Sequence, residues 1–409
     1  MTSKTFVTVG AGQTAAVAAR TLRRRGFDGR IVLIGDEPYA PYQRPPLSKE
    51  FLSGADTFES LLLLPDTWLA TNDVEIVTGT EVTRVDPGTR AVELAGATPI
   101  VADAVLFATG GRPRTLPVPG PRPDLVHYLR TVDDAQRLQR TLAPGRRLVL
   151  IGAGFIGLEI ASTASSLGVD VVVLEAADVP LSGVVGARLG EVCARLHRDN
   201  GVDIRTGTAV SGLRTTDAGV VIDLADSSSL EADAVVVGIG ITPNVAVAAA
   251  SGLAVDDGIV VDAKGRTSIP NVYAAGDVAR RYSERAAGHV RVEHFDNANK
   301  QGVAVANAML GRDAVSDEAS WFWSDQYGHN IQSLGPPTGE LTIRGSVDDL
   351  DFTAFYTDGD VVRGAFTVDR GEDVMVAREL LGRRVDLAAL TDEDTDLWEL
   401  VEEEEVMNR

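Results

Sequence analysis

The chain has 409 residues, of which 44% are hydrophobic and 24% charged, so it is long enough for two or three globular domains. Its formal net charge of −21 argues against nucleic acids and anionic membrane surfaces as partners, because both bind basic faces. No apolar run approaches the roughly 18 residues of a membrane span, and the N-terminus lacks a secretory pattern, so a cytoplasmic location is expected.

The first predicted elements are a strand, a glycine turn, a helix and a second strand. Residues 6–9 are apolar, and "GAG" at 10–12 leads into a helix of small residues. The first glycine permits the tight turn, and the second lets the backbone approach a pyrophosphate at the helix N-terminus. The next strand, "RIVLIGDE", ends in Asp36 and Glu37, and either could bind an adenosine ribose.

A second copy of this pattern begins near residue 147. The strand "RRLVLI" is followed by "GAGFIG" at 152–157, a helix, and the strand "DVVVLE", which ends at Glu175. One such unit is weak evidence, but two complete units predict a protein that binds two dinucleotides. No cation lies between Glu175 and Arg188 to pair with a 2′-phosphate, which favours NADH over NADPH.

Further landmarks divide the chain into domains. The strand-like segments "DAVLFATGGRPR" (103–114) and "DAVVVGIGITPN" (233–244) bracket the second unit, and "NVYAAGDVA" (271–279) is a later strand-to-helix turn. The segment "FTAFYTDGDVVRGAFTV" contains an Asp-Gly turn typical of a hairpin. These features predict an α/β protein with two Rossmann-like domains. The first domain comprises residues 1–114 and 240–318, the inserted second domain residues 115–239, and a small α+β C-terminal domain residues 319–409.

These landmarks resemble the two-dinucleotide flavoprotein reductases of the glutathione reductase fold, over essentially the whole chain. The strings "RPPLSKEFL" (44–52), "YLRTVDDA" (128–135), "VDIRTGT" (202–208) and "WFWSDQY" (321–327) are similar to ferredoxin reductases of the putidaredoxin reductase type. That resemblance implies FAD in the first domain and NADH in the second. It also implies electron transfer to a 2Fe–2S ferredoxin, which supplies a haem monooxygenase or a ring-hydroxylating, Rieske-type dioxygenase.

Cysteine content separates branches of this fold. The chain has one cysteine, Cys193, and the segment after the first ribose acid, "DEPYAPYQRPPLSKEFL", has none. Thiol–disulfide exchange requires reactive thiols in that segment, so disulfide-reductase chemistry is excluded. Four-cysteine iron–sulfur clusters and cysteine–histidine zinc clusters are excluded as well, and no metal site is expected. Electrons that reach the flavin must therefore leave to an acceptor outside the chain.

The resemblance also implies the residues of each site. The FAD site would comprise Gly10, Gly12, Gln13, Thr14, Asp36 (or Glu37), Arg44, Lys49, the backbone near Val82, Arg130, Asp277 and Phe295. The NAD site would comprise Gly152, Gly154, Phe155, Ile156, Gly157, Glu159 and Glu175. By the same resemblance, Lys49, Glu159 and Trp323 would have catalytic roles. Lys49 would lie beside the isoalloxazine, where a cation favours the reduced flavin, Glu159 would fix Lys49, and Trp323 would contact the flavin edge.

Alternatives remain at this stage. Lys49 and Glu159 could be a solvated surface pair, and Trp321 could be a core residue. The enzyme could instead reduce a small molecule such as a quinone or ascorbate radical, or it could be a non-catalytic flavoprotein that switches oligomers. A basic docking patch for an acidic ferredoxin could involve "ARRYSER" (279–285), Arg291 and Arg312, unless these are ordinary solvated arginines.

The absence of a cation near Glu175 generates a prediction about the electron donor. We expect kcat/KM for NADH to exceed that for NADPH by about tenfold or more, because the 2′-phosphate of NADPH would face an unpaired carboxylate. Initial rates with both nucleotides at equal concentration check this. A preference for NADPH would reject the role assigned to Glu175.

Overall fold

A computed structural model describes residues 4–313, 315 and 317–407, with side chains described as far as residue 402. Contacts divide the chain into two compact units. The first unit comprises Met1–Pro45, Thr57–Arg112 and Ile241–Glu318, and the second comprises Pro46–Asp56, Pro113–Gly240 and Ala319–Arg409. Both units are discontinuous in sequence. The boundaries expected for three separate domains stay a prediction.

The strands are short and run through the whole chain. In chain order they are β1 (Thr5–Val9), β2 (Arg30–Ile34), β3 (Val74–Val77), β4 (Val82–Val85), β5 (Ala91–Leu94), β6 (Ala97–Val101), β7 (Ala104–Phe107), β8 (Gly111–Pro113), β9 (Val126–His127), β10 (Arg147–Ile151), β11 (Asp170–Leu174), β12 (Asp203–Arg205), β13 (Val210–Thr215), β14 (Val220–Leu224), β15 (Ser229–Ala232), β16 (Ala234–Val237), β17 (Ile241–Pro243), β18 (Ile259–Val261), β19 (Val272–Ala274), β20 (Ala279–Ser283), β21 (Gly288–Val290), β22 (Trp321–Gln326), β23 (His329–Leu334), β24 (Glu340–Ser346), β25 (Asp351–Asp358) and β26 (Val361–Val368).

The helices alternate with these strands. In chain order they are α1 (Gln13–Arg24), α2 (Glu50–Ser53), α3 (Phe58–Leu61), α4 (Asp66–Asn72), α5 (Val132–Gln139), α6 (Phe155–Ser166), α7 (Ser182–Asp199), α8 (Ala246–Ala250), α9 (Phe295–Met309), α10 (Gly371–Leu380), α11 (Leu387–Thr391) and α12 (Leu397–Met407). Two 3₁₀ turns cover Pro45–Ser48 and Pro123–Leu125. Within the described ranges, no helix is long and apolar enough to cross a membrane.

The first unit is built on a five-stranded parallel sheet in the order β19-β7-β1-β2-β3. Its central strands are apolar along their length because both faces are covered. Phe6 and Ile31 contribute to the core on one face, and Val7 and Val32 to the core on the other. The carboxyl ends of these strands place the first glycine turn at one edge of the sheet.

Helices α1 and α9 cross closely on one face of this sheet. A Cβ atom built on Gly302 would lie 3.0 Å from the Thr14 carbonyl oxygen and from Val17 Cβ, so a glycine is needed where the helices touch. On the α1 side, Ala15, Ala16 and Ala19 are buried. The small residues of α1 therefore let its N-terminus reach the end of β1.

The second unit repeats the parallel arrangement with the order β12-β11-β10-β16-β9. It also contains a five-stranded antiparallel sheet in the order β22-β23-β26-β25-β24. The hairpin predicted from the Asp-Gly turn is confirmed, because β25 and β26 pair across Gly359, whose φ is +60°. Leu189 and Phe352 belong to one continuous apolar core, so the antiparallel sheet and the parallel layer pack on each other.

The buried tyrosine of β25 generates a stability prediction. The Tyr356 hydroxyl donates a 2.6 Å hydrogen bond to the Val185 carbonyl and is almost fully buried. We expect Tyr356→Phe to lower the free energy of unfolding by about 1–3 kcal/mol, because the carbonyl loses its partner. Urea denaturation measures this difference. Tyr282→Phe, at an exposed tyrosine of β20, is the control and should leave the midpoint unchanged. Equal midpoints for all three proteins would contradict the assigned bond.

Candidate cofactor and catalytic sites

The first glycine turn has the geometry that a pyrophosphate requires. Gly10 has a φ of +102°, and a Cβ there would lie 2.3 Å from the Ala108 carbonyl oxygen, so a side chain cannot be accommodated. At Gly12, which precedes α1, a built Cβ meets nothing within 4 Å, so the approach to the helix is open. No side chain caps α1, which leaves its first N–H groups available to an anion.

Neighbouring groups in the first unit support this fit. The Gln13 Nε2 donates to Asn299 Oδ1 at 2.6 Å, whereas Gln13 Oε1 is buried without a hydrogen-bond partner among the described residues. A Cβ on Gly276 would lie 2.4 Å from Thr14 Oγ1, so the turn that carries Asp277 lies against the start of α1. The structure thus brings Thr14 and Asp277 to the glycine turn.

Two further residues of the predicted FAD site also lie in the first unit. Phe295 is the first residue of α9, the helix that packs on α1. Val82 is buried at the start of β4.

The two candidate ribose acids have different surroundings. Asp36 is exposed, and no hydrogen bond or ion pair joins it to another residue that the structure describes. Glu37 pairs with Arg44, whose Nη2 lies 2.5 Å from Glu37 Oε1, and it accepts a hydrogen bond from the Tyr42 hydroxyl. The Glu37 carboxylate therefore holds Arg44, and Asp36 is the acid with acceptor atoms available for a ribose.

The second glycine turn is built in the same way. Gly152 has a φ of +99°, and its Cβ would lie 2.4 Å from the Gly238 carbonyl oxygen. A Cβ on Gly157 would lie 2.5 Å from the Gly152 carbonyl oxygen, so this glycine allows α6 to pack on the turn. Gly154 is open, and α6 has no side-chain cap. The turn fits a second dinucleotide, with Phe155 and Ile156 beginning the helix.

Glu175 is held against this turn. It follows β11, and its Oε2 accepts the Ala153 N–H at 2.7 Å while Oε1 accepts the Ala177 N–H at 2.9 Å. The carboxylate is therefore oriented by one backbone donor of the glycine turn and by one of the segment that follows β11. An adenosine ribose could donate to its remaining lone pairs, whereas a 2′-phosphate would face its charge. The NADH preference stays a prediction.

Lys49 and Glu159 form a buried ion pair in the second unit. The Lys49 Nζ lies 3.1 Å from Glu159 Oε2, and the two side chains are only 10% and 4% exposed. The alternative of a solvated pair is therefore wrong. Two hydroxyls complete the coordination of the carboxylate: Ser48 Oγ donates to Oε2 at 2.5 Å and Ser324 Oγ donates to Oε1 at 2.7 Å. Such a pair is retained only when its remaining lone pairs are satisfied.

Local structure explains how these groups meet. Lys49 follows the turn formed by "PPLS" and directly precedes α2, and Glu159 lies in α6. The Thr163 hydroxyl, one turn further along α6, donates to the Ser48 carbonyl at 2.8 Å. This bond fastens the loop carrying Lys49 to the helix carrying Glu159.

Strand β22 supplies the third side of this site through its alternation. Trp321 and Trp323 point to one face and stack with ring centroids 5.4 Å apart. Phe322 and Ser324 point to the other face. There the ring centroids of Phe322 and Phe155 lie 4.5 Å apart, and the Ser324 hydroxyl donates to Glu159. Trp321 also donates to Gln332 Oε1 at 2.9 Å, which gives it a role in the sheet. Sequence reasoning noticed the tryptophans and missed Ser48 and Ser324.

Arg130, assigned to the FAD site by resemblance, lies in the second unit. Its backbone N–H donates to Asp134 Oδ2 at 3.1 Å, and it directly precedes the capping box of Thr131 and Asp134 that begins α5. The predicted FAD residues are thus divided between the units. Lys49 and Arg130 belong to the second unit and the others to the first.

Four of the arginines suggested for a docking patch have side-chain partners. Arg280 pairs with Asp256, Arg281 with Asp317 at 3.2 Å, and Arg291 with Asp257 at 3.1 Å. The Arg312 guanidinium donates to the Arg25 carbonyl at 3.1 Å. Carboxylates therefore offset the charges of Arg280, Arg281 and Arg291, whereas a carbonyl leaves the charge of Arg312 in place. The basic docking patch stays a prediction.

Comparisons with known proteins now bear on this geometry. The family model described as "Pyridine nucleotide-disulphide oxidoreductase" matches residues 4–302, and the model "Reductase C-terminal" matches residues 321–401. The chain belongs to the pyridine nucleotide-disulphide oxidoreductase family. This membership confirms the α/β fold class, the oxidoreductase activity and the predicted cofactors, FAD and NAD(H).

Individual relatives cover nearly the whole chain. Rhodocoxin reductase of Rhodococcus erythropolis is 41% identical, with 96% of this chain and 92% of the relative covered. Putidaredoxin reductase of Pseudomonas putida is 38% identical, with 97% and 96% covered. The crystal structure of the covalent putidaredoxin reductase–putidaredoxin complex matches with a TM-score of 0.92 and 36% identity, and 98% of this chain and 99% of that chain are covered. The resemblance inferred from the motifs is confirmed.

The family is named for disulphide chemistry, so we ask whether Cys193 can react as a thiol. Cys193 is buried in α7, and burial raises the pKa of its thiol to about 12. We expect no reaction of native protein with a chromogenic disulfide reagent near pH 8, because the thiolate is the reactive form. After unfolding in guanidinium, one thiol should titrate. Ser166→Cys, at an exposed position of α6, is the positive control. Rapid labelling of native Cys193 would contradict its assigned burial.

Proposed function

We propose that this protein transfers electrons from NADH through FAD to a 2Fe–2S ferredoxin, which supplies a haem monooxygenase or a ring-hydroxylating dioxygenase. One observation carries the proposal: the chain has two complete dinucleotide turns, and its single cysteine is buried in the core of the second unit. An external acceptor must therefore receive the electrons. The relatives named as ferredoxin reductases support the identity of that acceptor.

Residues of the first unit would hold FAD. When bound, FAD accepts two electrons together from NADH and can release them singly, which suits a one-electron acceptor. The open N-terminus of α1 beyond Gly12 would bind the pyrophosphate, and Asp36 would accept hydrogen bonds from the adenosine ribose. Glu37 would keep Arg44 in a fixed position through their ion pair. Asp277 would complete the site from the turn that lies against Thr14.

Residues of the second unit would hold NADH and supply a fixed charge. The open N-terminus of α6 would bind the pyrophosphate, and Glu175 would bind the ribose. The family resemblance implies a positive charge beside the flavin. The Lys49 ammonium, held by Glu159, would supply that charge. Because both partners are buried and the carboxylate accepts two further hydroxyl donors, the ammonium is kept in place by the protein.

The acceptor is assigned by chemistry and by relatives together. Relatives named as reductase components of the anthranilate and chlorobenzene dioxygenase systems are 38% and 35% identical to this chain. The acidic net charge means that overall attraction to an acidic ferredoxin is not expected, so contact geometry would dominate docking. We place this reaction in the cytoplasm, where NADH is available as the donor.

A reconstituted electron-transfer assay tests the function. Purified yellow protein should reduce cytochrome c with NADH slowly by itself, and at least about tenfold faster when a 2Fe–2S ferredoxin is added, because the ferredoxin relays single electrons. Stopped-flow absorbance of the protein-bound FAD measures the NADH step separately. Quinone reduction without any ferredoxin effect would favour a small-molecule reductase. Failure of NADH to reduce the flavin would exclude both enzymatic functions.

A further inference from the structure

A chain of buried hydrogen bonds extends from Glu159 across the second unit. Beyond Ser324, the Gln326 Nε2 donates to Ser324 Oγ at 2.9 Å. The Gln326 Oε1 lies 2.8 Å from His197 Nε2, and the Tyr327 hydroxyl lies 3.1 Å from His197 Nδ1. Ser324, Gln326 and His197 have at most 1% of their surface exposed, and Tyr327 is half-buried at the far end. This series of hydrogen bonds therefore joins β22 and α7 to the Glu159 carboxylate on α6.

Every hydrogen bond in this series is donated in the direction of Glu159. His197 is neutral at physiological pH, because burial lowers its pKa to about 4 despite the opposing hydrogen bond with Gln326. A neutral imidazole has one donor and one acceptor nitrogen. Since Gln326 Oε1 can only accept, His197 Nε2 must carry the hydrogen, and Nδ1 must accept from Tyr327. Each group donates to the next, and Ser324 donates to the carboxylate.

This arrangement serves orientation rather than proton transport. An amide such as Gln326 does not relay a proton readily, because the amide group would have to pass through its unfavourable imidic acid tautomer. A row of aligned dipoles with their positive ends towards a carboxylate instead favours its negative charge and fixes its rotamer. Ser48 and Lys49 bind the other carboxylate oxygen, so the rotamer of Glu159 decides where the ammonium of Lys49 lies.

We propose that Ser324, and through it Gln326 and His197, are positioning residues that fix Glu159 and thereby hold Lys49 in the place required for hydride transfer from NADH to FAD. This inference rests on the proposed function. It accounts for the buried polar residues of "WFWSDQY": the tryptophans occupy one face of β22, and Ser324 and Gln326 occupy the face that reaches α6 and α7.

Ser324→Ala in the FAD-loaded, full-length protein is the direct test. We expect the limiting rate constant for flavin reduction by NADH to fall about tenfold while the Kd for NADH changes less than about twofold, because the pocket remains but the charge moves. The midpoint potential of the flavin should shift in the same direction as in Lys49→Met, and by less. Ser324→Thr, which keeps the hydroxyl, should recover most of the rate. Ser333→Ala, at a buried serine of the neighbouring strand β23, is the matched control.

Each outcome decides the matter. If Ser324→Ala retains both the rate constant and the potential of the parent, the inference is wrong while the proposed function stands. If Ser324→Thr is as impaired as Ser324→Ala, or if Ser333→Ala has the same effect, packing rather than the hydroxyl is responsible. Should Ser324→Ala fail to fold, Gln326→Met, which removes the donor to Ser324 at similar volume, must show the same split between rate and Kd. A parent protein whose flavin NADH does not reduce overturns the inference and the proposed function together.

Discussion

The site in the second unit depends on one buried ion pair, Lys49 with Glu159. Removing two charges from water is costly, and the cost is offset only when the geometry is good and the remaining polar atoms are satisfied. Here Ser48, Lys49 and Ser324 provide donors to both carboxylate oxygens. The pair therefore requires the segment of residues 46–56, helix α6 and strand β22 to be in place together. A requirement of electrostatics thus links three distant segments of the chain.

The two glycine turns have the same backbone geometry, which suits each of them to a dinucleotide. Gly10 and Gly152 both have positive φ and both lie against a carbonyl of a neighbouring segment. Gly12 and Gly154 both leave the helix N-terminus open. Five positions after the first glycine, one copy has Ala15 and the other has Gly157. The acids also differ: Asp36 is exposed and has no hydrogen bond or ion pair among the described residues, whereas Glu175 accepts a backbone hydrogen bond from its own glycine turn. We expect the shared backbone geometry to bind the phosphates and these local differences to distinguish the two nucleotides.

The features that sequence predicted well are those whose chemistry is local. A glycine turn between a strand and a helix, an acid at the end of the next strand and the Asp-Gly hairpin each lie within a short window. The ribose acid was left open between Asp36 and Glu37, because the choice depends on Arg44 and Tyr42 folding back on Glu37. The contact between Ser324 and Glu159 spans 165 positions and exists only through tertiary packing. Serine in an aromatic strand carried no signal of that contact, although strand alternation could have suggested a buried polar face.

The burial of Cys193 has a consequence for the conditions under which such an enzyme works. Under oxidising conditions, exposed thiolates are converted to sulfenic and sulfinic acids, and their susceptibility follows their exposure and thiolate character. The sole sulfhydryl here is enclosed in the core, and burial keeps it protonated. Because its one cysteine is buried, the protein exposes no thiol to oxidants. We therefore expect it to resist inactivation by cysteine oxidation.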